Sequence, residues 1–181
     1  MFLDRGFEAV TVAEIAREAG VSSVTVFNHF PRKEDMLLDR AEEAAELIRT
    51  TIRDRAPGVD VLAALSAMIV EVAGQPRGLA HISDESMPFF RTVASSPALV
   101  GRAREIAADL QREMTEALDD DESFAGDGIL LSAFFIAGYS TVLVENARRL
   151  IEGESAASIA ADYPARLERL FASLRTGAYG D

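Results

Sequence analysis

Ser23, Thr25, Asn28 and His29 sit within seven residues and share one kind of chemistry, reversible hydrogen bonding. An Asn side chain offers a donor and an acceptor side by side. That pattern matches an adenine edge in a DNA major groove, and the neighbouring Val24 can touch a thymine methyl. Hydroxyl, imidazole and ammonium groups suit phosphate and sugar contacts that fix register. Bond-making chemistry has no comparable support. The chain has two His, distant in sequence, no Cys and no Gly-rich phosphate loop, so an enzyme is not expected. The acidic run Asp119-Asp120-Asp121-Glu122 lacks the Gly and the later Glu of a calcium loop and reads as a solvated loop. Neither a metal nor a cofactor is expected.

The polar set needs a helix to carry it, and the flanking residues supply one. Thr11 and Glu14 have the spacing of a capping box, which starts a helix. Val12, Ile15, Ala16 and Ala19 lay one apolar stripe along it. Gly20 follows, the residue best suited to the left-handed position past a helix end. Ser22 caps a second helix running to about Phe30. Val26 and Phe30 turn inward there and leave Ser23, Thr25, Asn28 and His29 mostly on the other side. Pro31 ends the helix, and Lys33-Glu34-Asp35 opens the next. Two short helices around a Gly-containing turn, the second with a polar outer face, are a helix-turn-helix.

This segment resembles the tetracycline-repressor-like (TetR) family of bacterial transcription regulators. The resemblance rests on Gly6-Phe7, Thr11-Val12, Ile15-Ala16, Ala19-Gly20-Val21-Ser22, Thr25, Phe27, Phe30-Pro31 and Lys33-Glu34-Asp35. It implies DNA contacts from Thr11, Ser22, Ser23, Val24, Thr25, Phe27, Asn28, His29 and Lys33. Thr25, His29 and Lys33 match family positions of the phosphate-contacting type. The sequence departs from the pattern in three places. Met1–Gly6 corresponds only to the last turn of the family's first helix, so that helix is largely missing. Phe27 stands where the family usually has Tyr, and Arg32 where a capping Ser is common.

At 181 residues the chain is long enough for one compact domain, or for a small domain joined to a medium one. Without Cys it has no disulfide framework, which fits a reducing cytoplasm. No signal peptide is visible, and a cytoplasmic location is expected. The net charge of −12 opposes nucleic-acid binding at first sight, but its distribution weakens the objection. Residues 1–56 carry 8 Lys/Arg and 11 Asp/Glu, whereas residues 57–181 carry 10 and 19. Between Ala19 and Lys33 there is no acidic residue at all.

Almost everything after residue 33 reads helical. One long helix is expected from Lys33 to Arg55, stopped by Pro57-Gly58. Asp60 caps the next, with Leu62, Leu65, Ile69 and Val72 along one stripe. Residues 78–94 are expected to be helical with an interruption near Pro88. Ser96-Pro97 starts a helix to about Leu118, with Leu99, Ala103, Ile106, Leu110 and Met114 facing in. Gly128 to Val144 is free of charge and falls just short of a membrane span. A helix apolar on most sides is more often buried on two faces, and no membrane partner is expected. A break is expected at Pro164.

The expected fold is all-α. An N-terminal helix-turn-helix DNA-binding domain spans residues 1–37, its first helix largely missing. A C-terminal helical bundle for ligand binding and dimerisation spans 38–181. The resemblance implies a homodimer through residues 128–152 and 163–175, an operator of double-stranded DNA, and an allosteric small-molecule effector. Met68, Met87, Phe89, Phe90, Phe134, Phe135 and Tyr139, with His81 nearby, are the candidates for an apolar effector cavity. The expected function is a ligand-responsive regulator, a repressor released by a small hydrophobic effector. The rival is a helical dimer that binds a small molecule or protein but not DNA.

Overall fold

The computed structural model describes residues 1–75 and 82–178, and every element among them is helical. In the N-terminal part α1 (Phe2–Arg5), α2 (Val12–Glu18) and α3 (Ser23–His29) enclose a small core of Phe7, Val10, Ala16 and Val26. A 3-10 turn at Glu34–Met36 leads to α4 (Ala41–Arg53). Then come α5 (Val61–Gly74), a second 3-10 turn at Asp84–Ser86, α6 (Met87–Ser95), α7 (Pro97–Asp119), α8 (Gly128–Ile151) and α9 (Ala156–Ala178). Short polar caps start these helices as the sequence requires. Asp60 accepts from the Ala63 amide, Ser96 from Leu99, and Asp127 from Leu130.

The bundle packs α7 against α4 and α8, α9 against α8 and α5, and α6 against α8. Ile52, Leu62, Leu65, Met114, Leu131 and Phe135 form its main core, with Phe135 tilted against Phe171. A second cluster gathers Leu150, Ala156 and Ile159 under Met87 and Phe90. Along α8, the polar residues Tyr139 and Asn146 lie between the two clusters.

Five expectations differ from what is observed. The long helix from Lys33 is broken at residues 37–40, because Met36, Leu37 and Leu38 are consecutive and all half-buried; a straight helix cannot turn three successive residues to one side. Pro88 interrupts nothing: it lies in the first turn of α6, where its missing N–H would be unpaired anyway. Residues 78–81 and His81 lie outside the described residues. Pro164 does not break α9, which runs through it; Pro164 and Ala160, whose carbonyl loses its donor, are both exposed, so water can serve that carbonyl. In α7, Leu99 and Met114 are buried as expected, but Ala103 is exposed and Ile106 and Leu110 are only half-buried. The acidic loop is less solvated than its composition suggests. Asp121 forms a largely buried ion pair with Arg55, which also donates to the Ile52 carbonyl at 2.6 Å and to Ser123 Oγ at 2.6 Å.

Candidate nucleic-acid interface

The helix-turn-helix is built from two caps and one turn. Thr11 Oγ1 accepts from the Glu14 amide at 3.2 Å, while the Glu14 carboxylate accepts from the Thr11 amide at 2.9 Å, completing the capping box. Arg5 donates to Glu14 at 2.8 Å. The Arg5 bond, then the bonds from Thr11, bring the Glu14 carboxyl down to about 2. Gly20 takes φ 69°, the left-handed conformation that lets the chain leave α2 and enter α3. Ser22 Oγ accepts from the Thr25 amide at 3.0 Å and hydrogen-bonds Thr25 Oγ1 at 2.8 Å.

The outer face of α3 is open. Val24 is 69% exposed and Phe27 49%, with Thr25, Asn28 and His29 exposed beside them and Ser23 half-buried. On the inner side Val26 is buried, and a groove of about 480 Å³ runs past Ile15, Val26, His29 and Phe30 towards Phe2 and Met36. The structure therefore brings Ser22, Ser23, Val24, Thr25, Phe27, Asn28 and His29 to one helix. Thr11 is exposed, but its hydroxyl also donates to Glu14 at 2.9 Å and serves the cap.

Lys33 is a correction to the phosphate-contact expectation. Its Nζ donates to the Phe7 carbonyl at 2.6 Å and sits 4.2 Å from the centroid of the Phe7 ring. The ammonium points into the N-terminal core, where a buried carbonyl and a ring face hold it more firmly than water would. Arg32, the other cation after α3, is paired with Glu105 of α7.

Long-range polar contacts hold this unit to the bundle. Arg102 of α7 donates from Nε to Asp35 at 2.8 Å and from Nη1 to Glu105 at 3.2 Å. Ser96, at the α6–α7 junction, donates to Glu8 at 2.6 Å. Burial opposes charge on Arg102, but its bonds to Asp35 and Glu105 outweigh it and raise its pKa; the bonds from Arg102 and Arg32 lower that of Glu105. Apart from Arg102–Glu105, these contacts join residues more than sixty positions apart, so no local spacing could reveal them.

The candidate effector residues are dispersed. Met87 and Phe90 pack on the Leu150 cluster, with Phe89 edge-on to Phe90 at 5.4 Å. Phe135 fills the main core and stacks on Tyr139 at 6.0 Å. Phe134 is 46% exposed on the outer face of α8, and Met68 lines an open groove of about 410 Å³ between α4 and α5. Sequence reasoning missed the polar seam between α8 and α9. There Tyr163 donates to Tyr139 at 3.3 Å, Arg166 donates to Asn146 Oδ1 at 3.2 Å, and the fully buried Asn146 Nδ2 has no partner. Burial pushes the Tyr139 and Tyr163 hydroxyls up, the first well beyond the usual phenol range.

These residues form a helix-turn-helix with an open second helix, followed by an all-helical bundle. Residues 1–39 match the family of bacterial regulatory proteins called the tetR family. The HTH-type transcriptional regulator TcmR of Streptomyces glaucescens is 29% identical over 138 residues, covering 68% of this chain and 59% of that protein. A solved structure described as a TetR-family transcriptional regulator from Mesorhizobium loti shares the fold with a TM-score of 0.55 at 16% identity, covering 94% of this chain and 89% of the other. The family match thus lies on residues 1–39, the segment that carries α1, α2 and α3.

Proposed function

We propose that this protein is a homodimeric, ligand-responsive transcriptional regulator that binds double-stranded DNA through α3 and acts in the cytoplasm as a repressor. The observation that carries the reading is the α3 surface itself. Val24, Thr25, Phe27, Asn28 and His29 stand exposed on a helix whose N-cap is formed by Ser22 and whose Val26 is buried beneath. A polar helix face this rigid, projecting beyond the rest of its unit, suits insertion into a major groove. Asn28 reads a base, Val24 and Phe27 provide apolar contact, and Ser22, Thr25 and His29 reach phosphate or sugar.

Dimerisation uses the outer faces of α8 and α9. Leu130, Phe134, Ala137, Thr141 and Val144 follow one another at spacings of four and three and all are exposed. That spacing suits a helix packed against a partner helix. On α9, the exposed Ala157, Ala161, Ala165 and Ala172 offer a low-profile face for close approach. For an effector, the reading points to the polar seam between α8 and α9, where the buried Asn146 Nδ2 lacks an acceptor and Tyr139 lies nearby on α8. An effector with a carbonyl or hydroxyl group would satisfy Asn146, and it shifts DNA affinity only by binding one conformation better than the other.

The scarcity of free cations near α3 favours a second reading, a helical dimer that binds a small molecule or protein without DNA. A gel shift with the DNA upstream of the encoding gene separates the two. A retarded band that Asn28→Ala weakens supports the first, and no band at low salt supports the second.

A further inference from the structure

We infer that Arg102 is a positioning residue for DNA binding: through Asp35 directly, and through Glu105 to Arg32, it fixes α3 at a set angle to the bundle. This rests on the DNA-binding reading, but its geometry stands apart from it. Arg32 and Asp35 lie on the segment that leaves α3, and both are tied to the first turns of α7. Arg102 and Asp35 are 19% and 18% exposed, so water screens their pairing only in part. The covalent route from α3 to α4 cannot do this work. It passes through a 3-10 turn and an irregular stretch at residues 37–40 instead of a continuous helix. That four-residue stretch needs an external brace: Arg102 and Glu105 bind Asp35 and Arg32 on its α3 side, and α7 packs against α4 on the other. The Ser96–Glu8 bond at the α6–α7 junction makes a second point of attachment, so the N-terminal unit is held at two points along one element.

A dimer that reads two half-sites depends on this angle, whereas a single half-site does not. The absence of Cys permits a direct test. Glu18→Cys on α2 and Ala108→Cys on α7, both exposed, place two spin labels in one subunit, diluted with unlabelled chain. The parent should give a narrow distance distribution, and Arg102→Ala should broaden it with helical content unchanged. An equally narrow distribution for Arg102→Ala overturns the inference. Should Arg102→Ala lose helical content, Asp35→Asn, which keeps shape and removes charge, is read by the same criterion. Asp35→Ala combined with Arg102→Ala should broaden the distribution no further than Arg102→Ala alone, since the Asp35 contact is already gone. With a duplex selected from a random library by the parent, Arg102→Ala should weaken full-site binding by about tenfold, the scale of one charged hydrogen bond. Half-site binding should stay unchanged, and an equal loss on both sites would mark a merely structural role and overturn the inference. A parent that selects no duplex refutes the DNA reading alone, and the label distances still decide this one.

Discussion

Replacing Val144 by Glu tests where two subunits meet. Val144 is 69% exposed in the subunit, at the end of a stripe that includes Phe134. The carboxylate therefore does no harm to an isolated subunit, and the cost arises only if a partner covers it. Burying one uncompensated charge costs several kcal/mol, taken here as about 3. A two-fold interface contains the substitution twice, giving about 6 kcal/mol per dimer. At about 1.4 kcal/mol per decade, the dimer dissociation constant should rise by roughly 10⁴. Sedimentation equilibrium over a range of concentrations measures this directly. Val142 makes the control: it is buried in the subunit, so Val142→Glu should lower the melting temperature at every concentration. If Val144→Glu associates as tightly as the parent, or the parent is monomeric at micromolar concentration, the proposed seam is wrong.

The Glu14 carboxyl, held at about 2 by Arg5 and Thr11, makes the start of α2 sensitive to acid. Its folded value lies below the unfolded one, so its contribution is complete above the ordinary Glu range and is lost as pH falls towards 2; Glu14→Gln should abolish this dependence in amide-exchange measurements of α2. Arg55→Ala leaves the Asp121 carboxylate without its cation in a mostly buried loop and should cost about 3–5 kcal/mol in denaturant titration. Asn28→Ala should lose about 1–3 kcal/mol of discrimination at one base pair and leave the melting temperature unchanged. Lys33→Ala should lower the melting temperature and leave the salt slope of DNA binding as it was, because the ammonium serves Phe7; a slope flatter by about one unit with unchanged stability would put Lys33 on phosphate after all.

What the sequence made legible was local. Caps such as Thr11 with Glu14, Ser22 and Ser96 depend on residues three apart, and each formed as its spacing requires. The stripe of Leu62, Leu65 and Ile69 went inward and left the smaller Ala63 and Ala67, with Val70 and Glu71, exposed. The apolar helix α8 was different. With no charge from Gly128 to Val144, periodicity cannot say which side faces the core, so Phe134 and Phe135 read alike although only Phe135 is buried. Gly138 gave the same difficulty. It permits a close helix approach, but the neighbour is Leu170 of the chain's own α9. Lys33, Arg32 and Arg102 were illegible for a further reason: a long cationic side chain chooses among several carboxylates and carbonyls within reach, and only the tertiary fold decides which is near.

These engaged cations bear on how the protein would hold DNA. With Lys33 on Phe7 and Arg32 on Glu105, the α3 region presents a nearly neutral face, and each phosphate-bound cation it lacks removes about one unit from the salt dependence. A single half-site should then bind weakly and with a shallow salt slope. Linking two such units on one rigid dimer makes the second contact intramolecular, at an effective concentration set by the geometry. Most of the operator affinity would therefore come from the α8–α9 pairing and from the angle at which the bundle holds α3. It follows that Val144→Glu, far from the DNA, should reduce full-site binding more than Asn28→Ala does.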